Sequence, residues 1–239
     1  MDSARVIAVT FALPQESQDF RRALRAVETV GPRLLRGRLG RAEVLVGHTG
    51  VGPVAAAENI AALLAFQRPR LLVSTGFAGG LDPQLVTGDL LVAENFSAPE
   101  LLAQSRALLA GAPRAFFGGL TSQSQPAESI ASKTALAATT GAFAVDMETA
   151  SVAAACAAAD VPLLAVRAIS DAAGEPLPVP FAEWFDLAAQ RPRPFALVKY
   201  LALHPAQVAP FIRFVRGLTP ARQAFTRFVC AFIAEAAPL

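Results

Sequence analysis

Three short runs, Val6-Ile-Ala-Val-Thr-Phe11, Arg70-Leu-Leu-Val-Ser-Thr75 and Gly88-Asp-Leu-Leu-Val-Ala93, are apolar at almost every position. A strand of this kind has no polar face to offer to water, so it must be covered on both sides. Helical patterns fall between them, at residues 16–26, 54–66, 99–109, 128–138 and 149–159, and Gly52-Pro53 is a helix-start signal. Residues 33–39 and 43–47 read as a hairpin around Gly40-Arg41, with a further strand near 115–120. The expected class is α/β: a single-domain, three-layer fold with a central twisted mixed sheet flanked by helices. From Pro176 the texture changes to prolines, aromatics and arginines, with helical patterns at 181–189, 194–203, 206–216 and 220–235. Residues 1–190 are therefore expected to form the main domain, and 191–239 a helical C-terminal extension packed on it.

Composition excludes several classes of function. With 21 basic and 19 acidic residues the formal net charge is +2, too small a field to gather nucleic acid non-specifically. Two cysteines, Cys156 and Cys230, lie in apolar helical settings without metal-ligand spacing, so neither a metal nor another cofactor is expected. Met1-Asp2-Ser3-Ala4-Arg5 does not read as a secretory leader, and Asp146, Glu148 and Asp160 interrupt the most apolar region. The expectation is a cytoplasmic protein. The 54% hydrophobic content suggests a large interior together with a subunit interface.

Ala144-Val-Asp-Met-Glu148 and Arg167-Ala-Ile-Ser-Asp171 place carboxylates at the ends of two apolar stretches. Burying a charge without a partner costs several kcal/mol, roughly, so two such ends point to a site. The structural alternatives are helix capping by Glu148 or Asp171, and pairing of Arg167 with Asp146 or Glu148. His48 and His204 have no Ser or Cys near them in sequence that suggests a triad.

Taken in order, Gly50-Val-Gly-Pro-Val-Ala-Ala56, Ser74-Thr-Gly-Phe-Ala-Gly-Gly-Leu81, Gly88-Asp89, Val145-Asp-Met-Glu148 and Val166-Arg-Ala-Ile-Ser-Asp171 resemble the nucleoside phosphorylase/nucleosidase superfamily. The likeness is greatest to 5′-methylthioadenosine/S-adenosylhomocysteine nucleosidases, over residues 6–185. It implies a catalytic domain that hydrolyses the N-glycosidic bond of a purine ribonucleoside, with adenine the expected base and without metal or cofactor. By the same resemblance Glu16 is the general base that activates water, and Asp171 is the acid that protonates the departing purine, which requires it to hold a proton near neutral pH. Glu148 would hold the ribose hydroxyls over a wall supplied by Met147. Ser170 would orient Asp171, and Phe181 would stack on the base. Gly76, Phe77 and Arg167 complete the expected substrate contacts. A homodimer is also implied.

The chain departs from those enzymes at Phe77, where they commonly carry serine, and in the segments after Asn95 and at Thr121-Ser-Gln-Ser-Gln125. An apolar residue in the glycine motif and a Pro- and Arg-rich C-terminal segment are also found in the hopanoid-associated subgroup, which implies a lipid-linked adenosine as an alternative substrate. Phe211-Ile-Arg-Phe-Val-Arg-Gly-Leu218 and Phe225-Thr-Arg-Phe-Val-Cys-Ala-Phe232 interleave aromatic and basic residues at helical spacing, which fits either peripheral membrane contact or packing on the domain. The remaining alternatives are a phosphate-dependent phosphorylase and a nucleoside- or lipid-binding protein without catalysis. Residues 10–16 lack the glycine and arginine expected of a phosphate loop, which favours water.

Overall fold

The computed structural model describes residues 6–236, so the leader reading at Met1–Arg5 lies outside the described residues. In chain order, β1 (Val6–Phe11), α1 (Gln18–Ala23), β2 (Arg25–Gly31), β3 (Leu34–Leu39), β4 (Ala42–His48), α2 (Pro53–Phe66), β5 (Leu71–Gly80) and β6 (Leu90–Ala93) come first. They are followed by α3 (Pro99–Leu108), β7 (Ala115–Gly118), β8 (Leu120–Ser122), α4 (Ile130–Thr140), β9 (Ala144–Asp146), α5 (Thr149–Ala158) and β10 (Leu163–Asp171). The last part holds α6 (Phe181–Trp184), β11 (Phe185–Asp186), β12 (Arg191–Pro192), α7 (Pro194–Leu203) and α8 (Val208–Ala236).

The main sheet runs β2-β3-β4-β1-β5-β10-β6-β7, and β9 attaches to the end of β5 and to β8. Its centre is parallel, β1 lying between β4 and β5, with β10 on the far side of β5. The apolar runs occupy these central positions because both of their faces are covered. On one face Val9, Phe11, Val73 and Val166 pack against Phe20 of α1 and Phe225, Val229 and Phe232 of α8. On the other, Ala8, Leu45 and Leu72 meet Ile60 and Leu63 of α2 and Val152 and Cys156 of α5. The three-layer mixed-sheet architecture expected from sequence is present.

Four elements differ from the sequence reading. Arg25–Gly31 is a strand, yet its first five residues are exposed, so this sheet edge carries no apolar alternation by which to recognise it. β5 does not stop at Thr75 but continues through Gly80, because β10 and β9 pair with its glycine motif. The helix expected at 181–189 ends at Trp184: Phe185 is extended and pairs with Pro192, and Gln190 has φ +51°. The two helices expected at 206–216 and 220–235 are one helix, with Pro220 inside it. Proline removes one backbone donor, but Ala221, Phe225, Phe228, Val229, Phe232 and Ile233 bury their side chains immediately beyond it and hold the helix together.

Phe225, Phe228 and Phe232 therefore belong to the core, which settles their stretch as a packed helix face. Among the described residues, no single helix is long and apolar enough to cross a membrane. Phe225→Ala should destabilise the fold by about 3 to 5 kcal/mol through the cavity it leaves. Urea denaturation followed by circular dichroism checks this, and a loss below about 1 kcal/mol would contradict the packing described.

Candidate active site

The parallel strands β1, β5 and β10 end side by side, and carboxyl ends of parallel strands are where open α/β sheets gather ligands. A cavity of about 270 Å³ lies there, lined by Thr10, Phe11, Ala12, Glu16, Thr49, Ser74, Thr75, Gly76, Phe77, Glu148 and Arg167. Its charged members are Glu16, Glu148 and Arg167.

Arg167 is 3% exposed and has all of its donors engaged. Nε donates to Asp146 Oδ2 at 2.9 Å, Nη1 to the carbonyls of Ser74 and Val166 at 2.9 and 2.8 Å, and Nη2 to Ser74 Oγ and Thr149 Oγ1 at 3.1 and 2.6 Å. An arginine has five N–H groups, so none is left for a ligand. The structural pairing with Asp146 is thus realised, and Arg167 forms a neutralised wall of the cavity rather than a free cation.

Glu148 sits at the N-cap position of α5 but makes no capping bond. That task falls to Asp146, whose carboxylate accepts from Thr149 N at 3.3 Å. Glu148 Oε1 instead accepts from Gly52 N at the start of α2, 2.7 Å away, where the helix dipole favours an anion. Burial, with Asp146 adding to it, holds the Glu148 carboxyl well above the usual carboxylate range despite that amide.

Glu16 turns back from the loop before α1, and its Oε2 accepts from Ala12 N at 3.1 Å. Burial raises its pKa to about 7, only partly offset by the Ala12 amide and the Arg167 charge. A Cβ on residue 76 would lie 2.9 Å from Glu16 Oε2, so this close approach requires glycine. The loop is pinned from behind by Ser17 Oγ, which donates to the Pro14 carbonyl at 3.0 Å and lies 2.8 Å from His48 Nε2. His48 thus has a serine neighbour that its sequence context did not suggest. Ser17 is fully buried and already bonded, which leaves it a structural latch, and burial lowers the His48 pKa to about 4 so that the ring is neutral.

Asp171 does not line this cavity. Its carboxylate lies near Gly79, further along β5, where Lys133 Nζ donates to Oδ2 and also to the carbonyls of Ala172 and Glu175, both at 2.7 Å. Ser170 Oγ donates to Asp171 Oδ1 at 2.5 Å, the orienting contact expected of it. Lys133 is 1% exposed, and sequence reading missed it because a lone lysine in an alanine-rich helix looks like a solvated position. Asp171 is therefore ion-paired with Lys133.

Met147 and Phe181 belong to one apolar cluster with Val51, Trp184, Phe185 and Leu187, packed against Ala12 and Leu13. Gln190 ties this cluster to the glycine loop, its Oε1 accepting from Val51 N and its Nε2 donating to Val51 O, both at 2.8 Å. That amide is thereby withdrawn from anion binding. Phe77 lines the opposite wall and meets the Phe225 ring at 5.6 Å.

A profile of the Phosphorylase superfamily matches residues 6–117 and 94–201. The chain belongs to this superfamily. A 5′-methylthioadenosine/S-adenosylhomocysteine nucleosidase of Glaesserella parasuis serovar 5 (strain SH0165) is 28% identical over 192 residues, 69% of this chain and 83% of that protein. The crystal structure of an S-adenosylhomocysteine nucleosidase from Streptococcus pyogenes in complex with 5-methylthiotubericidin covers 100% of this chain and 99% of its own, with TM-score 0.75 and 19% identity. The futalosine hydrolase of Helicobacter pylori covers 98% of this chain and 100% of its own, with TM-score 0.74 and 20% identity. At these identities the two structures establish the phosphorylase-superfamily fold.

Gly76→Ala should displace Glu16 Oε2 and lower kcat by roughly 100-fold, as misplacement of a reacting group by about 1 Å does. Steady-state kinetics beside a melting curve checks it: full activity would show that the carboxylate need not lie over residue 76.

Proposed function

We propose that this protein hydrolyses the N-glycosidic bond of a purine ribonucleoside, adenine being the favoured base, by metal-free acid/base chemistry. Relatives named as nucleosidases and a futalosine hydrolase support the reaction class. The observation that carries the choice of water over phosphate is the saturated Arg167. Among the described residues, phosphate would meet two buried carboxyl groups and no free cation in the cavity, whereas water meets a base with pKa about 7.

In this reading Glu16, ionised, takes a proton from water as the sugar becomes oxocarbenium-like. Glu148 accepts hydrogen bonds from ribose hydroxyls, with Met147 as the apolar wall and Phe181 against the base. The departing purine receives a proton from the Lys133–Asp171 pair, which lies near Gly79, further along β5 than the lined cavity. Gly76, Phe77 and Arg167 shape the cavity, and Ser170 orients Asp171. Residues 1–190 carry these groups, with 191–239 as a helical C-terminal extension packed on the same domain. A homodimer and a cytoplasmic location are part of the same reading.

Adenosine, methylthioadenosine, adenosylhomocysteine and inosine incubated with the protein in phosphate-free buffer should yield free base from at least one adenine nucleoside. A strict phosphate requirement would establish phosphorolysis instead, and tight binding without product would establish a binding protein. Because the base must be ionised and its carboxyl is raised, kcat/KM should increase with pH through about 7. Glu16→Gln should abolish that limb and lower turnover by roughly 100- to 10,000-fold.

Peripheral contact with an anionic lipid surface is a further part of the proposal, supported by the α7 surface. Phe195 is 89% exposed, and Val198 and Leu203 are 66% and 68% exposed. No Asp or Glu occurs from Leu187 to Ala234, while Arg191, Arg193, Lys199, Arg213 and Arg216 do. Vesicles containing phosphatidylglycerol should sediment the protein at low salt and neutral vesicles should not. Phe195→Asp should abolish sedimentation, and equal recovery of the variant would remove this surface from consideration.

A further inference from the structure

The cavity floor contains a hydroxyl that no internal bond accounts for. Thr10 is 1% exposed, lines the cavity together with Glu16 and Glu148, and its Oγ1 has no hydrogen-bond partner among the described residues. An unpaired buried hydroxyl costs about 1 to 3 kcal/mol, whereas valine would fill the same space without that cost.

Thr75 Oγ1 is also unpaired, but strand alternation separates the two. Thr10 lies opposite Ser74 across the parallel β1–β5 ladder, so it shares a face with Ser74 and Gly76. This is the face over which the Glu16 carboxylate lies, and the one on which Arg167 bonds Ser74. Thr75 lines the cavity too, but on β5 it alternates with Ser74 and Gly76, on the side of Phe77, whose ring packs toward α8. The Thr10 methyl is turned toward Gly47, 3.5 Å from the place a Cβ there would occupy. On the other wall, Phe77 supplies no hydroxyl.

We propose that Thr10 is a catalytic residue whose Oγ1 binds the nucleophilic water and, with Glu16, fixes its direction of attack. The assignment rests on the hydrolytic reading above. The water donates one hydrogen to the Glu16 carboxylate and the other to Thr10 Oγ1, which leaves a lone pair directed at the sugar C1′. As the C1′–N bond breaks, its electron pair leaves with the base, which gains a proton from the Lys133–Asp171 pair. The water oxygen bonds C1′, and the proton it loses goes to Glu16. Thr10 forms and breaks no covalent bond; its contribution is orientation.

The test compares Thr10→Val and Thr10→Ser with the wild-type protein, using whichever of adenosine, methylthioadenosine or adenosylhomocysteine the wild type cleaves fastest in phosphate-free buffer. Thr10→Val should lower kcat by about 10- to 100-fold, the size expected for loss of one positioning hydrogen bond. Its KM should stay within about twofold and its Tm should be equal or higher, since no paired hydroxyl is lost. Thr10→Ser should recover most of the rate. A Thr10→Val kcat within about twofold of wild type overturns the assignment, as do equal losses in both variants accompanied by a lowered Tm, which would mark a packing role. If the wild type releases no base from any of the three, the hydrolytic reading fails and this assignment with it; if only Thr10→Val matches the wild type, the reading stands and Thr10 alone is excluded.

Discussion

A buried guanidinium with no donor to spare holds the business end of the sheet together. Arg167 reaches from β10 to the backbone and hydroxyl of Ser74 on β5, to Asp146 on β9 and to Thr149 at the start of α5. Four elements, drawn from three separate parts of the chain, are thereby fixed at one point. The network also shapes the electrostatics of the neighbouring cavity, because Asp146 cancels the arginine charge and adds to the burial that raises Glu148. Removing one partner of such a pair would leave an uncompensated charge, at about 3 to 5 kcal/mol. Rigidity of this kind is what a site needs when its reacting groups must be held in place before the substrate arrives.

The same arrangement costs stability. Glu16 has its carboxyl raised by burial from 4.5 to about 7. Between those values the folded state holds a proton that the unfolded state releases, so stability falls as pH rises through this window and the deficit is complete above it. For Glu16 alone the deficit is on the order of 3 kcal/mol. Glu148 acts in the same direction. A pair of hydrophobic side chains in their place would make a firmer protein, and the persistence of two carboxyl groups there is a chemical choice.

Much of the architecture was legible because the central strands are apolar on both faces, and that pattern has few other solutions. The motifs around Glu148 and Arg167 were legible as a site because charge at the end of a buried strand needs a reason. Other features carried no local sign. The edge strand β2 is polar along most of its length. Lys133 becomes a buried partner of Asp171 only because α4 packs beside the end of β10, a tertiary fact absent from its alanine-rich surroundings. Ser17 and His48 are 31 residues apart and meet because β1 and β4 are adjacent. Thr10 looked like one more β-branched strand residue, and its unbonded hydroxyl on the β-sheet face beneath the Glu16 carboxylate shows only in the folded chain.

The contact between Phe77 and Phe225 joins the glycine motif to a helix that begins well after the last acidic group of the cavity. The Phe77 wall of the cavity is therefore moulded from behind by α8. A change of side-chain volume at residue 225 would reach the cavity through the Phe77 ring without touching Glu16 or Glu148.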